Sequence, residues 1–356
     1  MVSVFAPGRV ELLGNHTDYN QGFVLSFAID RGITFSGVLR ADEKITIHAR
    51  DIGEIYEGTV QGLQRCEKQL WANYVLGVIA QFRNRGVPVP GLEVEISSNL
   101  PMGAGLSSSA ALETSAAYFL QHSLHTTFSK FELARIGQEA EHTYTGVKCG
   151  LLDQISSIFS EKSHATFIDC RSFEVQTIPL PPKARFIIAN SHASHTLVRG
   201  EYNERRDSCE TAAQALNLQA LRDASPLLLE SMSNRLNSVQ LKRARHIVGE
   251  NERVILAVEA LKNGHLDELG RLMFISHESS KTNFENSCPE LDALVDAARK
   301  THSCLGARLS GGGFGGATVN LLKAGNEVEI SRALKEACPT VECLLTGAAA
   351  GARCMD

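Results

Sequence analysis

Leu92, Val94 and Ile96 alternate with Glu93 and Glu95, a period of two that predicts a half-buried strand. Residues 110–121 hold Ala, Leu, Glu, Tyr and Phe with no Gly or Pro, which predicts a helix. Between them lies a run of Gly and Ser. Elsewhere the pattern divides the chain into two textures. The first fifty residues are β-rich, with apolar runs at 2–5, 23–40 and 45–49. Trp71, Tyr74, Val75, Val78, Ile79 and Phe82 recur at spacings of three and four, as on one helix face. Ser129 and Glu132 form a capping box ahead of Leu133, Ile136 and Ala140, which predicts a further helix start. Leu151, Leu152, Ile155, Ile158 and Phe159 mark another helix opening after Gly150. Residues 178–184 read as a linker, 186–189 as a strand, and 201–300 as a series of long helices. A glycine cluster at 310–316 precedes a strand at 317–322.

Strand, Gly-rich loop and helix N-terminus together make an anion site, because glycines allow close backbone approach and the first-turn N–H groups point outward. Ser107, Ser108 and Ser109 add hydroxyl donors and oxygens suited to a hard cation such as Mg²⁺. No Lys follows the glycines, so the loop is not of the G-x-x-x-x-G-K-[ST] type. A plain connector would need neither the triple Ser nor its position at a helix start. Two further clusters carry chemistry. Residues 8–20 place Arg9, His16 and Asp18 in a loop that a structural turn would not require, a set suited to a polyhydroxylated ligand or to a plain polar loop. Residues 141–154 place Asp153 in a helix first turn, where the dipole favours a carboxylate, either for catalysis or merely to start the helix.

Composition narrows the class. With 356 residues, 43% hydrophobic and 21% charged, the chain has ample core for one large or two ordinary domains. A net charge of −5 argues against a nucleic-acid partner. No apolar run reaches the roughly 18 residues of a membrane span, and residues 1–9 lack the features of a signal peptide. Nine cysteines without a C-x-x-C pair suit a reducing compartment, with neither disulfide frame nor zinc site. A cytoplasmic monomer without membrane or obligate protein partner is expected.

The motifs, in this order, resemble the GHMP small-molecule kinases. Leu-Pro-Met-Gly-Ala-Gly-Leu-Ser-Ser-Ser-Ala-Ala at 100–111 is similar to that superfamily's second motif, and Ala-Arg-Leu-Ser-Gly-Gly-Gly-Phe-Gly-Gly-Ala-Thr at 307–318 to its third. Within it, segments 8–20, 71–75, 149–154, 201–206 and 287–292 resemble the galactokinase family, and the resemblance runs from residue 5 to about 353. It implies an α+β fold of two domains, a ribosomal-S5-domain-2-like one at 1–180 with the phosphate loop and a ferredoxin-like one at 181–356, with the site in the cleft between them. It implies ATP and Mg²⁺, and transfer of phosphate to the anomeric hydroxyl of galactose. Asp153 would then be the catalytic carboxylate, with Arg9 beside it. Asn15, His16, Asp18, Gly150 and Tyr202 would hold the sugar. Gly103, Ala104, Gly105, Leu106, Ser107, Ser108 and Ser109 would wrap the triphosphate, with Trp71 at the nucleotide, and Ser109 and Glu141 would bind Mg²⁺. Galactokinases usually read Asn where this chain has Glu11, and Glu where it has Asn15. The exchange puts recognition at C6 in question and would remove repulsion toward a C6 carboxyl group. Glucose, galacturonate or N-acetylgalactosamine are therefore alternative substrates, and a non-catalytic sugar and ATP sensor is a third reading. Leu76 stands where the family often has Lys, and the segment that usually precedes residues 6–9 is missing.

Overall fold

The computed structural model describes residues 1–194 and 198–355. The first half folds as strands β1 (Val2–Leu13), β2 (Phe23–Leu39), β3 (Lys44–Ala49) and β4 (Glu54–Thr59), helix α1 (Ala72–Asn84), β5 (Leu92–Ser98), helices α2 (Ser108–Ser123), α3 (Lys130–Ala140) and α4 (Leu152–Phe159), and strands β6 (His164–Asp169) and β7 (Val175–Pro179). The second half supplies β8 (Ala184–Ser194), helices α5 (Val198–Ala215), α6 (Pro226–Ser231), α7 (Ser238–Lys262), α8 (Leu266–Ser279) and α9 (Pro289–Lys300), strands β9 (Cys304–Ser310) and β10 (Gly315–Lys323), helix α10 (Glu327–Ala337), and strands β11 (Glu342–Thr346) and β12 (Arg353–Met355).

One sheet runs β12-β1-β2-β5-β3-β4, with β6 pairing β2 and β7; the other runs β11-β8-β10-β9. Every described ladder is antiparallel except β3 with β5. Alternation sets the faces: in β5, Leu92, Val94 and Ile96 are buried and Glu93 and Glu95 exposed. Helix α2 lies across β1 and β2 with α1, α3 and α4 around it. It is therefore buried from Ala110 to Leu120, polar residues included. The capping box at Ser129 and Glu132 forms as the sequence predicts.

Three differences matter for the site. Residues 8–13, expected as part of a polar loop, belong to β1, so Arg9 and Glu11 stand on a strand. The ladder with β2 shifts register between Pro7 and Arg9 and again between Glu11 and Leu13, and such irregularities re-aim side chains. The last strand, β12, returns to pair with β1, so the chain's end joins the first sheet instead of staying with the second half. None of the nine cysteines is in a disulfide. Among the described residues no helix is long and apolar enough to cross a membrane.

Candidate active site

The glycine loop is anchored by its apolar residues. Ala104 and Leu106 are buried in the core, while Gly103 and Gly105 face outward at φ +70° and +65°. Ser107 takes a left-handed backbone, φ 57°, immediately before α2. Its hydroxyl oxygen is buried without a partner, and the first-turn amides of α2 lie next to it. That is the donor set a phosphate would complete. The backbone N–H of Arg9 donates to the Leu106 carbonyl at 3.1 Å. The second glycine cluster backs the loop: a Cβ on Gly105 would stand 3.1 Å from the Ser310 carbonyl oxygen.

Two cavities meet at this loop. One, of about 480 Å³, is an apolar slot walled by Trp71, Tyr74, Ile33, Ile96, Leu100 and Leu112, with Ser108 and Ser109 at its edge. The Trp71 indole is fixed by donating to Glu54 Oε2 at 2.6 Å. Leu76 is core in α1 and does not line the slot. The other cavity, of about 300 Å³, brings together Arg9, Asn15, His16, Asp18, Gly105, Ser107, Ser109, Glu141, Gly150, Asp153 and Tyr202. Gly103, Ala104 and Leu106 line neither cavity.

Asp153 opens α4 as expected. Arg9 grips one of its oxygens, with Nε and Nη2 each 2.7 Å from Oδ1, while Arg9 Nη1 donates to the Gly105 carbonyl at 2.7 Å. The other Asp153 oxygen takes no bond among the described residues. Asp18 sits where a Cβ on Gly150 would run into its Oδ2, so only glycine fits there. Burial first, then the Asp153 and Glu11 charges, push the Asp18 carboxyl up to about 7.

Glu141 accepts from Cys149 Sγ and Gln154 Nε2, each at 3.3 Å, and from the Ser109 hydroxyl. Burial, then the charge of Asp153, raise its carboxyl to about 7. Ser109 and Glu141 are adjacent hard-oxygen donors, as Mg²⁺ requires. Among the described residues no group of three His, Cys, Asp or Glu could hold an ion by itself. Behind them Glu113 is fully buried, raised well above the usual carboxylate range by that burial, and bonded to Gln154 Nε2 at 2.9 Å.

Two expected sugar ligands are already engaged. His16 is held neutral, pushed down to about 3 by burial. The Gly312 carbonyl, 2.9 Å from Nε2, accepts its proton, leaving Nδ1 to accept from the Tyr19 hydroxyl at 2.8 Å. Its ring packs between Tyr202 and Phe284. Asn15 donates to Glu11 Oε1 at 3.1 Å and to the Gly311 carbonyl at 2.7 Å, and accepts from Asn286 at 2.8 Å. Both side chains build the wall. Glu11, which was not assigned to the sugar, lines the same cavity, paired with the fully buried Arg308 at 2.9 Å. Asp18 and Tyr202, also expected at the sugar, line the cavity with fewer partners: Tyr202 Oη takes no bond among the described residues, and burial raises it well above 10.

Sequence reasoning also missed His246, Glu250 and Asn251 on α7, which bond the backbone of residues 14–23 from the second half. Polar residues at core positions of a helix, four apart, were the available signal.

Residues 73–161 match the GHMP kinases N terminal domain, 257–340 the GHMP kinases C terminal model, and 2–37 the galactokinase galactose-binding signature. The chain is 40% identical over 336 residues to galactokinase of Thermotoga maritima, covering 94% of this chain and 93% of that one. It is 41% identical over 324 residues to galactokinase of Chloroflexus aurantiacus, covering 90% and 83%. Its fold matches the crystal structure of Lactococcus lactis galactokinase complexed with galactose, TM-score 0.95 at 30% identity, covering 99% and 94%. Mevalonate kinase of Methanococcus jannaschii shares the two-domain fold, TM-score 0.71 at 19% identity over 97% and 98%.

Proposed function

The chain belongs to the galactokinase family of the GHMP kinases, and on that premise we propose that it transfers the γ-phosphoryl group of ATP to the anomeric hydroxyl of galactose, giving galactose 1-phosphate and ADP. The observation that carries the reading is the double grip of Arg9. One guanidinium holds Asp153 and the carbonyl of Gly105 in the phosphate loop. The proton acceptor and the phosphate cradle thus stand at a fixed separation, and phosphoryl transfer depends chiefly on such positioning.

In the reaction the O1–H proton passes to the free oxygen of Asp153 as the O1–phosphorus bond forms. The bond from the γ-phosphorus to its bridging oxygen breaks, and the electron pair leaves with ADP. An anomeric hydroxyl is more acidic than an ordinary alcohol, which suits a carboxylate base. The apolar slot beside Trp71 would take the base of ATP, with the loop and the start of α2 at its phosphates. Mg²⁺, held by Ser109 and Glu141 together with phosphate oxygens, would neutralise charge on the transferring group.

Asp18 and Tyr202 would hold sugar hydroxyls, and Gly150 would let the ring come close. Galacturonate fits poorly. Glu11, Asp18, Glu141 and Asp153 all line the cavity, and a substrate carboxylate would meet them with Arg9 already bonded to Asp153. All site residues come from one chain, so a monomer suffices, and ATP with nine cysteines outside any disulfide suits the cytoplasm.

Asp153→Asn tests the assignment. Its Oδ1 can still accept from Arg9, so folding and nucleotide binding should hold while kcat falls about a hundredfold or more. Turnover near the unmodified rate, read by ADP release with galactose, would remove Asp153 from the chemistry.

A further inference from the structure

Helix α7 grips the loop that carries Asp18 with side chains the proposed reaction does not use. Glu250 is fully buried. Its Oε1 accepts from the backbone N–H of Gly14 at 3.0 Å, from that of Asn15 at 3.3 Å, and from the Ser276 hydroxyl at 2.7 Å. Its Oε2 accepts from Arg253 Nε at 2.6 Å. Burial alone would raise this carboxyl; the charge of Arg253, then that of Arg308 and the hydrogen bond from Ser276, hold it well below the usual range.

One turn earlier, His246 takes the neighbouring carbonyl. Burial pushes it down to about 4, so it is neutral. Its Nε2–H donates to the Asn15 carbonyl at 3.1 Å, and the Ser279 hydroxyl completes Nδ1 at 3.0 Å. At the far end of the loop, Asn251 Oδ1 accepts from the N–H of Phe23 at 2.9 Å.

The backbone held this way is one the chain would not choose freely. Glycine meets the φ of +102° at position 14 without strain, but His16 lies at +60° and Gln21 at +56°. Non-glycine residues in the left-handed region persist only where their surroundings fix them. A buried carboxylate is also a poor device for stability alone, because well-packed apolar residues of similar volume do as well or better. What it adds is direction. Two consecutive N–H groups converge on a single oxygen, which selects one loop path among those that apolar packing would allow.

We propose that Glu250 is a positioning residue for sugar recognition: with His246 it fixes the backbone at Gly14 and Asn15, so that Asp18 meets the sugar without reorganisation. This rests on galactose being the substrate. Loss of the clamp should weaken sugar binding and leave the nucleotide side, built on α2 and the glycine loop, unaffected.

Two double variants isolate the acceptor from the ion pair. Glu250→Gln with Arg253→Met keeps an oxygen facing the loop, whereas Glu250→Leu with Arg253→Met does not. Neither leaves an unpaired buried charge. KM for galactose should rise roughly tenfold or more in the Leu pair and recover most of that in the Gln pair. KM for ATP and kcat at saturating sugar should stay within about threefold in both. A cooperatively melting Leu pair with unchanged sugar KM, or with both substrates' KM raised alike, overturns the proposal. If neither pair folds, Ser276→Ala, which strips one bond from the same Oε1, should raise sugar KM in the same direction by a smaller factor; no rise would also overturn it. Hydrogen exchange at the Gly14 and Asn15 amides, measured without substrate, should accelerate in the Leu pair and not in the Gln pair. If the unmodified protein does not phosphorylate galactose, the substrate reading fails and the exchange rates still decide the clamp.

Discussion

Asp18 and Asp153 face the same cavity, and the cations around them differ. Arg9 places two nitrogens on one oxygen of Asp153. Asp18 has the N–H of Tyr19 as its partner, and Arg206 only at longer range, so burial and the neighbouring carboxylates dominate and lift it to about 7. Below that pH Asp18 is a protonated donor; above it, an ionised acceptor that makes the stronger, charge-assisted bonds to sugar hydroxyls. Galactose affinity should therefore increase as pH rises through about 7. Calorimetry without nucleotide or Mg²⁺, from about pH 5.5 to about pH 8.5, separates this from Glu141, which titrates in the same range. Asp18→Asn should bind more weakly and with a flat profile; a profile that keeps its slope would assign the titration elsewhere. The stability effect has the opposite sense. A carboxyl whose native pKa is raised keeps its proton after the unfolded chain has released it, so Asp18 lowers stability as pH climbs from about 4 to about 7. Above that window Asp18→Asn should melt higher than the unmodified protein.

At the scale of elements the glycine loop was legible because its parts are contiguous. Strand β5, the glycines and α2 follow one another, and each has a local signature: alternation, Gly at left-handed positions, and a run of helix formers. Gly105 tests how much rests on that local design. At φ +65° and 3.1 Å from the Ser310 carbonyl, a β-branched side chain meets both backbone strain and the second glycine segment. Gly105→Val should abolish nucleotide binding while a cooperative melt persists, and normal ATP affinity in that variant would reduce the loop to a connector. What local signatures could not give is who bonds whom. Asn15 and His16 carry the donors and acceptors a sugar ligand needs, yet Gly311, Gly312 and Asn286, far along the chain, take up that capacity together with the nearby Glu11 and Tyr19. Residue type predicts what a group can bond. Only the fold decides whether a neighbour has bonded it first. Arg9 and Glu11 were misplaced in a loop for a related reason: the strand that holds them is irregular in register and interrupted by glycine, so alternation is hard to read there.

Across the whole molecule, the two halves are joined at the sugar end by one buried network. Glu11 on β1 pairs with Arg308 on β9, and Asn15 bonds both Glu11 and Gly311. The carboxyl group that the sequence resemblance leads one to expect at position 15 stands one hydrogen bond away, at Glu11. The two positions should therefore behave as a unit. Asn15→Glu alone brings a second carboxylate against Glu11 in a buried site, with one guanidinium to share. Glu11→Asn alone leaves Arg308 buried without its carboxylate, and breaking such a pair typically costs about 3–5 kcal/mol. Making both changes restores one carboxylate beside one arginine with the order reversed. In a double-mutant cycle each single variant should lose stability to denaturant and raise galactose KM, and the double variant should recover most of both. Because the double variant recovers most of both losses, the coupling is expected at about 3 kcal/mol or more, the upper end for residues in one such network. Additive losses would mean that the two side chains act independently, and that Glu11 serves the join between the halves without any part in reading the sugar.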